Sequence, residues 1–377
     1  MRVLHVFKTY PPDAFGGVER VIWQIAEGTR AYGTQSTVFF LSSKQHGPGR
    51  LANHATYGAH LDIYVASTGL SASAFRAFRK LAAEHDIIHY HFPWPMMDLL
   101  ELSFRHGKPR IVTYHSDIVR QRILGRVYAG LMNMFLGRVE RIIATSPHYL
   151  QSSLVLDRYK DKCHVVPIGI AEGESVDPEV LAAWRSRVGS DFFLFVGALR
   201  YYKGLPFLIE AARLSGLPVV VAGEGEMAAE LAGAGLANLK AVGAVAEVDK
   251  LALLSLCRAF VFPSHLRSEA FGVALLEAAR AGKPMISCEM GTGTSFVNLN
   301  GVTGFVVPPG ESRELARAMQ QLWANPAQAG GMGAAARKRY LELFTSQAMA
   351  KAYQQHYEEL LVDKRLGDGT AQKRGAE

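Results

Sequence analysis

The stretch Phe262-Pro-Ser-His-Leu-Arg-Ser-Glu269-Ala-Phe-Gly-Val-Ala-Leu-Leu-Glu277-Ala-Ala-Arg-Ala-Gly-Lys-Pro284 reads as the end of a buried strand, a polar loop, a helix and a Gly–Pro stop. An acid in the loop before a helix N-terminus suits hydroxyl groups. The free N–H groups of Ala270, Phe271, Gly272 and Val273 suit an anion. Glu277, about two turns further on, reaches a different part of the same ligand. Hydroxyls, then phosphates, then ribose describe a sugar joined to a nucleotide through a diphosphate. The plain alternative is an amphipathic helix with both acids on a solvated face.

Outward from this stretch, strand-like runs alternate with helical patterns. Val3–Phe7, Ser36–Leu41, Ile87–His91, Ile111–His115, Arg141–Thr145 and Cys163–Pro167 read as strands, with helices at Val18–Tyr32, Ser73–Glu84 and Met96–Arg105. A second series follows: Phe192–Gly197, Pro218–Ala222, Leu239–Gly243, Ala259–Phe262, Pro284–Ser287 and Phe305–Pro308. Such alternation predicts α/β architecture, with parallel sheets covered on both faces. The polar stretch Ala171–Pro178 separates the two series and reads as a linker. Ser346–Val362 has the apolar spacing of a last helix, at Met349, Ala352, Tyr353, Tyr357, Leu360 and Leu361, and Gly367–Glu377 reads as a frayed tail.

The bulk properties agree with an enzyme of two domains. A chain of 377 residues with 49% hydrophobic and 20% charged residues is long for one core. No apolar run is long enough to cross a bilayer. Cys163, Cys257 and Cys288 are far apart and in apolar surroundings, which predicts reduced thiols in the cytoplasm. No Cys-x-x-Cys, His-Glu-x-x-His or Asp-x-Asp occurs, so neither a structural metal nor a divalent ion is expected. About 20 Lys/Arg against 12 Asp/Glu fall in residues 1–170, and the remainder is nearly balanced. A basic front half suits an anionic membrane leaflet or a lipid diphosphate. Nucleic acid is disfavoured, because no recognition helix or aromatic platform accompanies the charge.

Further segments carry chemistry. Arg200 and Lys203 follow the strand ending at Gly197, where a diphosphate would sit. Gly16-Gly17 opens a helix after the first strand and exposes backbone N–H groups, but the loop is not the Gly-x-Gly-x-x-Gly fingerprint of nicotinamide cofactors. Gly223-Glu-Gly225 is a second strand-to-helix turn. His115 ends a strand. His89-Tyr-His91 has metal-like spacing with no third ligand in view. Ile118–Leu136 mixes Arg120, Arg122 and Arg126 with apolar residues, as a membrane-interface helix or a helix packed on the core with a basic rim.

In order, these segments resemble the family 4 glycosyltransferases, retaining enzymes of GT-B fold. Glu269 and Glu277 match the E-x7-E motif, with Pro-Ser-His before it, Phe-Gly inside it and Ala-Gly-Lys-Pro after it. Arg200 and Lys203-Gly204 match the Arg…Lys-Gly motif. The resemblance implies two doubly wound, Rossmann-like domains facing across a cleft. The acceptor domain would take residues 1–170 plus a C-terminal helix, 345–364, that crosses back; the nucleotide-sugar domain would take 190–344, and 367–377 would be a flexible tail.

The resemblance also implies roles. His115, Arg200, Lys203 and Glu269 would be catalytic. Gly16, Gly17, Gly197, Gly223, Gly225, Ser264, Ala270, Phe271, Gly272 and Glu277 would bind the donor. Arg200 and Lys203 would meet the charge on the leaving nucleoside diphosphate, Glu269 the hexose and Glu277 the ribose. His115 would lie near the anomeric carbon as a hydrogen-bonding group and not as the general base. No cofactor or metal is implied.

Glu269-Ala-Phe-Gly and Gly291-Thr-Gly-Thr-Ser-Phe-Val-Asn look most like bacterial mannosyl- and rhamnosyltransferases of O-antigen or exopolysaccharide. A GDP-sugar donor, a glycan or lipid-linked glycan acceptor and a place at the cytoplasmic face of the inner membrane follow as expectations. The rivals are a UDP-glucose or UDP-N-acetylglucosamine transferase, a nucleotide-sugar 2-epimerase of the same fold and a non-catalytic sugar-nucleotide-binding partner. One departure is Pro167-Ile168-Gly169-Ile170-Ala171, where many relatives carry Pro-Asn-Gly and an acid.

Overall fold

The computed structural model describes residues 1–65, 68–117, 122–173 and 175–374. They form two compact units. The first comprises Met1–Thr145, Ser153–Ala171 and Ser346–Glu377, and the second Ser146–Ser152 and Glu172–Thr345.

The strands of the first unit are β1 (Arg2–Val6), β2 (Gln35–Ser42), β3 (Gly47–Leu51), β4 (His54–His60), β5 (Ile63–Val65), β6 (Thr68–Leu70), β7 (Ile87–Phe92), β8 (Arg110–Tyr114), β9 (Arg141–Ala144) and β10 (Cys163–Val165). Eight form one sheet in the order β10-β9-β8-β7-β1-β2-β4-β3, and β5 and β6 make a separate hairpin. All neighbours in the main sheet are parallel except β3 with β4. Every residue of β7 is buried, as expected of a parallel strand covered on both faces.

The β3–β4 hairpin is absent from the sequence reading. Gly47, Pro48 and Gly49 are poor strand formers, and β3 is tolerated because it lies at the sheet edge.

The last helix, Ser346–Arg374, packs on the helix Gly17–Thr29. Met349, Tyr353, Tyr357 and Leu360 are buried, which are core-facing positions of the predicted apolar stripe. Polar tips on this face find partners: Gln354 Oε1 accepts from Thr34 Oγ1 at 2.7 Å, and Tyr353 and Tyr357 reach Thr113 and His89, each at 2.7 Å. The atypical turn at 167–171 also serves this helix. Ile170 O accepts from Ser346 N at 2.8 Å, and Gly169 N donates to Met349 Sδ at 3.2 Å. The helix is continuous to Arg374, where the sequence reading began a flexible tail at Gly367.

The second unit carries β11 (Phe193–Val196), β12 (Val219–Ala222), β13 (Leu239–Gly243), β14 (Ala259–Phe262), β15 (Met285–Cys288) and β16 (Gly304–Val307). They form a parallel sheet in the order β13-β12-β11-β14-β15-β16. The strand order reverses between β11 and β14, so the loops leaving these two strands flank the crevice where such sheets bind ligands. Beneath them lies a core of Phe193, Phe195, Leu208, Val219, Val261, Ile286 and Met319.

Two boundaries differ from expectation. The helix Pro147–Ser152 belongs to the second unit, where it packs on Gly293–Val297. The helix Pro178–Val188 also belongs there, with Trp184 Nε1 donating to Asp249 Oδ1 at 2.8 Å.

Candidate functional site

At the switch point of the second sheet, Lys203 and Glu269 meet. Lys203 lies in a short 3-10 turn after β11, and Glu269 in the loop after β14. The ammonium of Lys203 bonds Glu269 Oε2 and rests 4.8 Å from the centre of the Phe262 ring. Both side chains are only 13% and 12% exposed, so the pair is weakly screened by water. Ser264 Oγ lies 3.5 Å from the same carboxylate oxygen.

Arg200, at the start of the turn, is exposed; its backbone N–H donates to Ala198 O and its carbonyl accepts from Lys203 N, each at 2.9 Å, and its side chain makes no hydrogen bond or ion pair among the described residues. Glu269 is followed by Gly272, which caps the helix Val273–Arg280 in a left-handed conformation at φ +84° with no side-chain cap. Leu275 N donates to Gly272 O at 2.9 Å, and the N–H groups of Val273 and Ala274, which have no intrahelical acceptor, point out of the helix end. Lys203, a carboxylate and a helix N-terminus thus gather at one switch point, with Arg200 in the same loop three residues before Lys203, an arrangement that suits a phosphorylated, hydroxylated ligand.

Glycine makes this crowding possible. A Cβ on Gly223 would sit 1.9 Å from Gly197 O, and φ there is +145°. Gly197, Gly223 and Gly243 are tied by backbone bonds, Gly197 N to Ala222 O at 3.0 Å and Gly223 N to Gly243 O at 2.7 Å. Gly225 packs likewise on the backbone of Leu199. At Gly17 a Cβ would meet nothing within 4 Å. Gly223→Ala should therefore lower stability by about 2–4 kcal/mol through strain and displaced backbone. Gly17→Ala should change it by less than about 0.5 kcal/mol. Urea midpoints of the two variants check this, and equal midpoints would contradict it.

Glu277 lies on the helix Val273–Arg280 and accepts at Oε1 from Lys250 Nζ at 2.6 Å. Lys250 also pairs with Glu247 at 2.8 Å. Lys250 escaped the sequence reading, since nothing near it in sequence marks a partner 27 positions away. It fixes the carboxylate through Oε1.

Ala270 and Phe271 are braced by the segment Gly291–Ser295. Gly293 N donates to Ala270 O at 2.8 Å, and Phe271 is buried. Gly293–Val297 is a short helix with Thr292 and Thr294 fully buried, so this segment is a support and not a loose loop.

In the first unit, Gly16 and Gly17 open the helix after β1, both exposed. Glu19 accepts from Gly16 N at 3.1 Å and from Thr9 Oγ1 at 2.6 Å, which fixes the loop. His115 directly follows β8 and is 6% exposed. Burial alone holds its imidazole down to about 3, so the ring is neutral at neutral pH.

His89 and His91 lie inside the sheet and are fully buried. A third imidazole, not in view from sequence, lies beside them. His5, opposite His89 in the β1–β7 register, brings one nitrogen from each ring within 4.8 Å of the others. The rings nevertheless stack, His89 on His91 at 4.3 Å and 28°, and His5 on His91 at 5.4 Å and 21°. A metal lies in the plane of each imidazole that ligates it, so stacked rings direct their lone pairs along near-parallel lines. Both nitrogens of His89 and both of His91 are already hydrogen-bonded. In this structure the cluster is a hydrogen-bonded stack.

Of Ile118–Leu136, the segment expected to be either a membrane-interface helix or a helix packed on the core with a basic rim, residues 118–127 lie outside the residues whose side chains are described. Phe135 and Leu136 are buried, Met134 is exposed, and Tyr128 bonds the buried Asp98. No described helix is long and apolar enough to cross a membrane.

Comparison with known proteins adds to this geometry. Residues 15–173 match the family described as Glycosyltransferase Family 4, and residues 177–339 the one described as Glycosyl transferases group 1. The chain is 49% identical to a D-rhamnosyltransferase, WbpZ, of Pseudomonas aeruginosa, over 92% of this chain and 93% of that one. It is 46% identical to O-antigen chain mannosyltransferase C of Escherichia coli, over 97% and 100%. A sucrose-phosphate synthase from Thermosynechococcus elongatus shares the fold, with a TM-score of 0.79 at 20% identity, covering 96% of this chain and 99% of that one.

Proposed function

The chain belongs to glycosyltransferase family 4, with the GT-B fold and a nucleotide-sugar donor, and on that premise we propose that it moves D-mannose or D-rhamnose from a GDP-sugar onto a growing, lipid-linked O-antigen glycan. The observation that supports this most is the meeting of Lys203 and Glu269 at the switch point, in a chain nearly half identical to a rhamnosyltransferase and to a mannosyltransferase. The two sugars are chemically close. D-rhamnose is 6-deoxy-D-mannose, so the donors present the same ring substituents except at C6.

In this reading the diphosphate lies between Arg200, Lys203 and the first turn of the helix Val273–Arg280. Breaking the anomeric C–O bond leaves the electron pair on the diphosphate, and the two cations stabilise it there without a divalent ion. Glu269 holds hexose hydroxyls and Glu277 Oε2 a ribose hydroxyl. Ser264, Gly197, Gly223 and Gly225 line the nucleotide pocket, and Gly16 and Gly17 approach the donor phosphates. The vacant space around Gly17 supports that role, since the chain's own packing does not require glycine there. His115 hydrogen-bonds the donor sugar, and the anomeric configuration is retained. Peripheral contact with an anionic leaflet, supported by the basic excess of residues 1–170, would bring the lipid-linked acceptor within reach at the cytoplasmic face of the membrane.

The donor base is tested directly by thermal shift with GDP, UDP, ADP and dTDP. A ligand present at 100 times its Kd stabilises the folded state by about 2.7 kcal/mol. GDP should raise the melting temperature most. A shift with UDP alone would replace the proposal by its nearest rival, a UDP-glucose or UDP-N-acetylglucosamine transferase.

A further inference from the structure

Three buried imidazoles form a chain of hydrogen bonds within the first unit. His5 Nδ1 lies 3.1 Å from His91 Nε2, and His91 Nδ1 lies 3.0 Å from His115 Nε2. At the inner end, His5 Nε2 is buried without a partner. At the outer end, His115 Nδ1 is neither hydrogen-bonded to the chain nor fully buried among the described residues.

Neutral imidazole carries one proton, and each hydrogen bond between rings needs one proton between its nitrogens. These two conditions leave only two arrangements. If His91 is protonated at Nδ1, it donates to His115 Nε2, and the proton of His115 must be on Nδ1; His5 then donates from Nδ1 and keeps a bare Nε2. If His91 is protonated at Nε2, every proton moves to Nε2; His115 then presents a bare Nδ1, and His5 buries an N–H with no acceptor. The three tautomers are locked together.

The inner end decides between them. An orphaned N–H in a protein interior is rarer and less tolerated than an acceptor with an empty lone pair. We infer that His5 and His91 are positioning residues that hold His115 in its Nδ1–H tautomer, so that His115 meets the donor sugar as a hydrogen-bond donor and has no lone pair free to take a proton from the acceptor hydroxyl. Burial supports the one-proton count: His5 and His115 are held down to about 3, and His91 well below its ordinary value. The last helix supports the geometry. Tyr357 and Thr113 occupy both nitrogens of His89 at 2.7 Å, which keeps His89 from bonding into the chain.

The inference rests on the reading that His115 faces the sugar, but its first test needs no sugar. Long-range nitrogen–proton NMR of the 15N-histidine-labelled full chain, assigned with single His→Gln variants, distinguishes protonated from bare ring nitrogens. The expected result is protonated Nδ1 and bare Nε2 at His5, His91 and His115. A bare Nδ1 at His115 overturns the inference. The second test is kinetic. His91→Leu should free the tautomer and lower kcat about 10-fold with a smaller change in donor KM. His91→Gln has an amide oxygen to accept from His5 and an amide N–H to donate to His115, and should keep most of the turnover. Equal kcat in the two variants would overturn the positioning role. Nδ1–H at His115 with full turnover in His115→Ala would instead overturn the reading that His115 meets the donor.

Discussion

Replacing Lys203 with alanine should lower kcat by about 10²–10³-fold, the usual effect of removing one charge-stabilising donor from an active site. Lys203 is set against Phe262 and bonded to Glu269, so it is positioned before any donor arrives and little reorganisation precedes reaction. If its charge acts chiefly on the leaving diphosphate, kcat and kcat/KM should fall together, while a loss confined to KM would mark a ground-state contact.

The alanine variant also leaves the largely buried Glu269 carboxylate beside Ser264 alone, a separate cost to stability. Lys203→Met combined with Glu269→Gln removes both charges and separates the two effects. It should fold and remain slow. Arg200→Ala should act in the same direction. Turnover within a few-fold of the parent in either single cation variant would remove the diphosphate assignment.

Acid should unfold this protein well above the pKa values of its buried histidines. His5, His89, His91 and His115 are neutral in the folded state, with His5 and His115 held down to about 3 and His89 and His91 well below 6.5, chiefly by burial. In the unfolded chain each titrates near 6.5. Between those limits the unfolded state binds more protons, so stability is complete above about pH 6.5 and is lost as pH falls.

Asp98 works the other way. Burial raises its carboxyl well above the ordinary value, so the folded state holds a proton that the unfolded chain releases. Four histidines against one aspartate give these five groups together a slope of about 4 kcal/mol per pH unit. A stability on the order of 10 kcal/mol would then be exhausted near pH 4–5. Circular dichroism and intrinsic fluorescence followed from pH 7 to pH 3 read this midpoint, and stability that stays level from pH 7 to pH 5 would show that the histidine stack is not buried in solution.

Most of the second unit was legible from sequence. Its strands are short apolar runs closed by glycine or proline, and β13 and β14 fall on the expected residues, Leu239–Gly243 and Ala259–Phe262. The loops that carry Arg200, Lys203 and Glu269 follow such runs directly, and Glu277 lies on the helix that comes next, so local pattern was enough to place them. The first unit was less legible. The hairpin β3–β4 is built on Gly47, Pro48 and Gly49, which signal a turn in isolation and act as an edge strand only because β2 and β4 supply the template. The helix Pro147–Ser152 follows the strands of the first unit but packs with the second, and sequence order carries no sign of this.

Sequence alone determined the alternation of strand and helix, the two-sheet architecture and the residue types of the candidate site, because burial periodicity and turn chemistry act over a few neighbouring residues. Tertiary structure decided what those residues do to one another. It brought Lys250 to Glu277 across 27 positions, set Tyr357 on His89 across 268, and placed His5 and His91 in line behind His115. Such pairings depend on strand order, register and the returning last helix, and these are fixed by the packing of the whole unit and not by any local stretch of the chain.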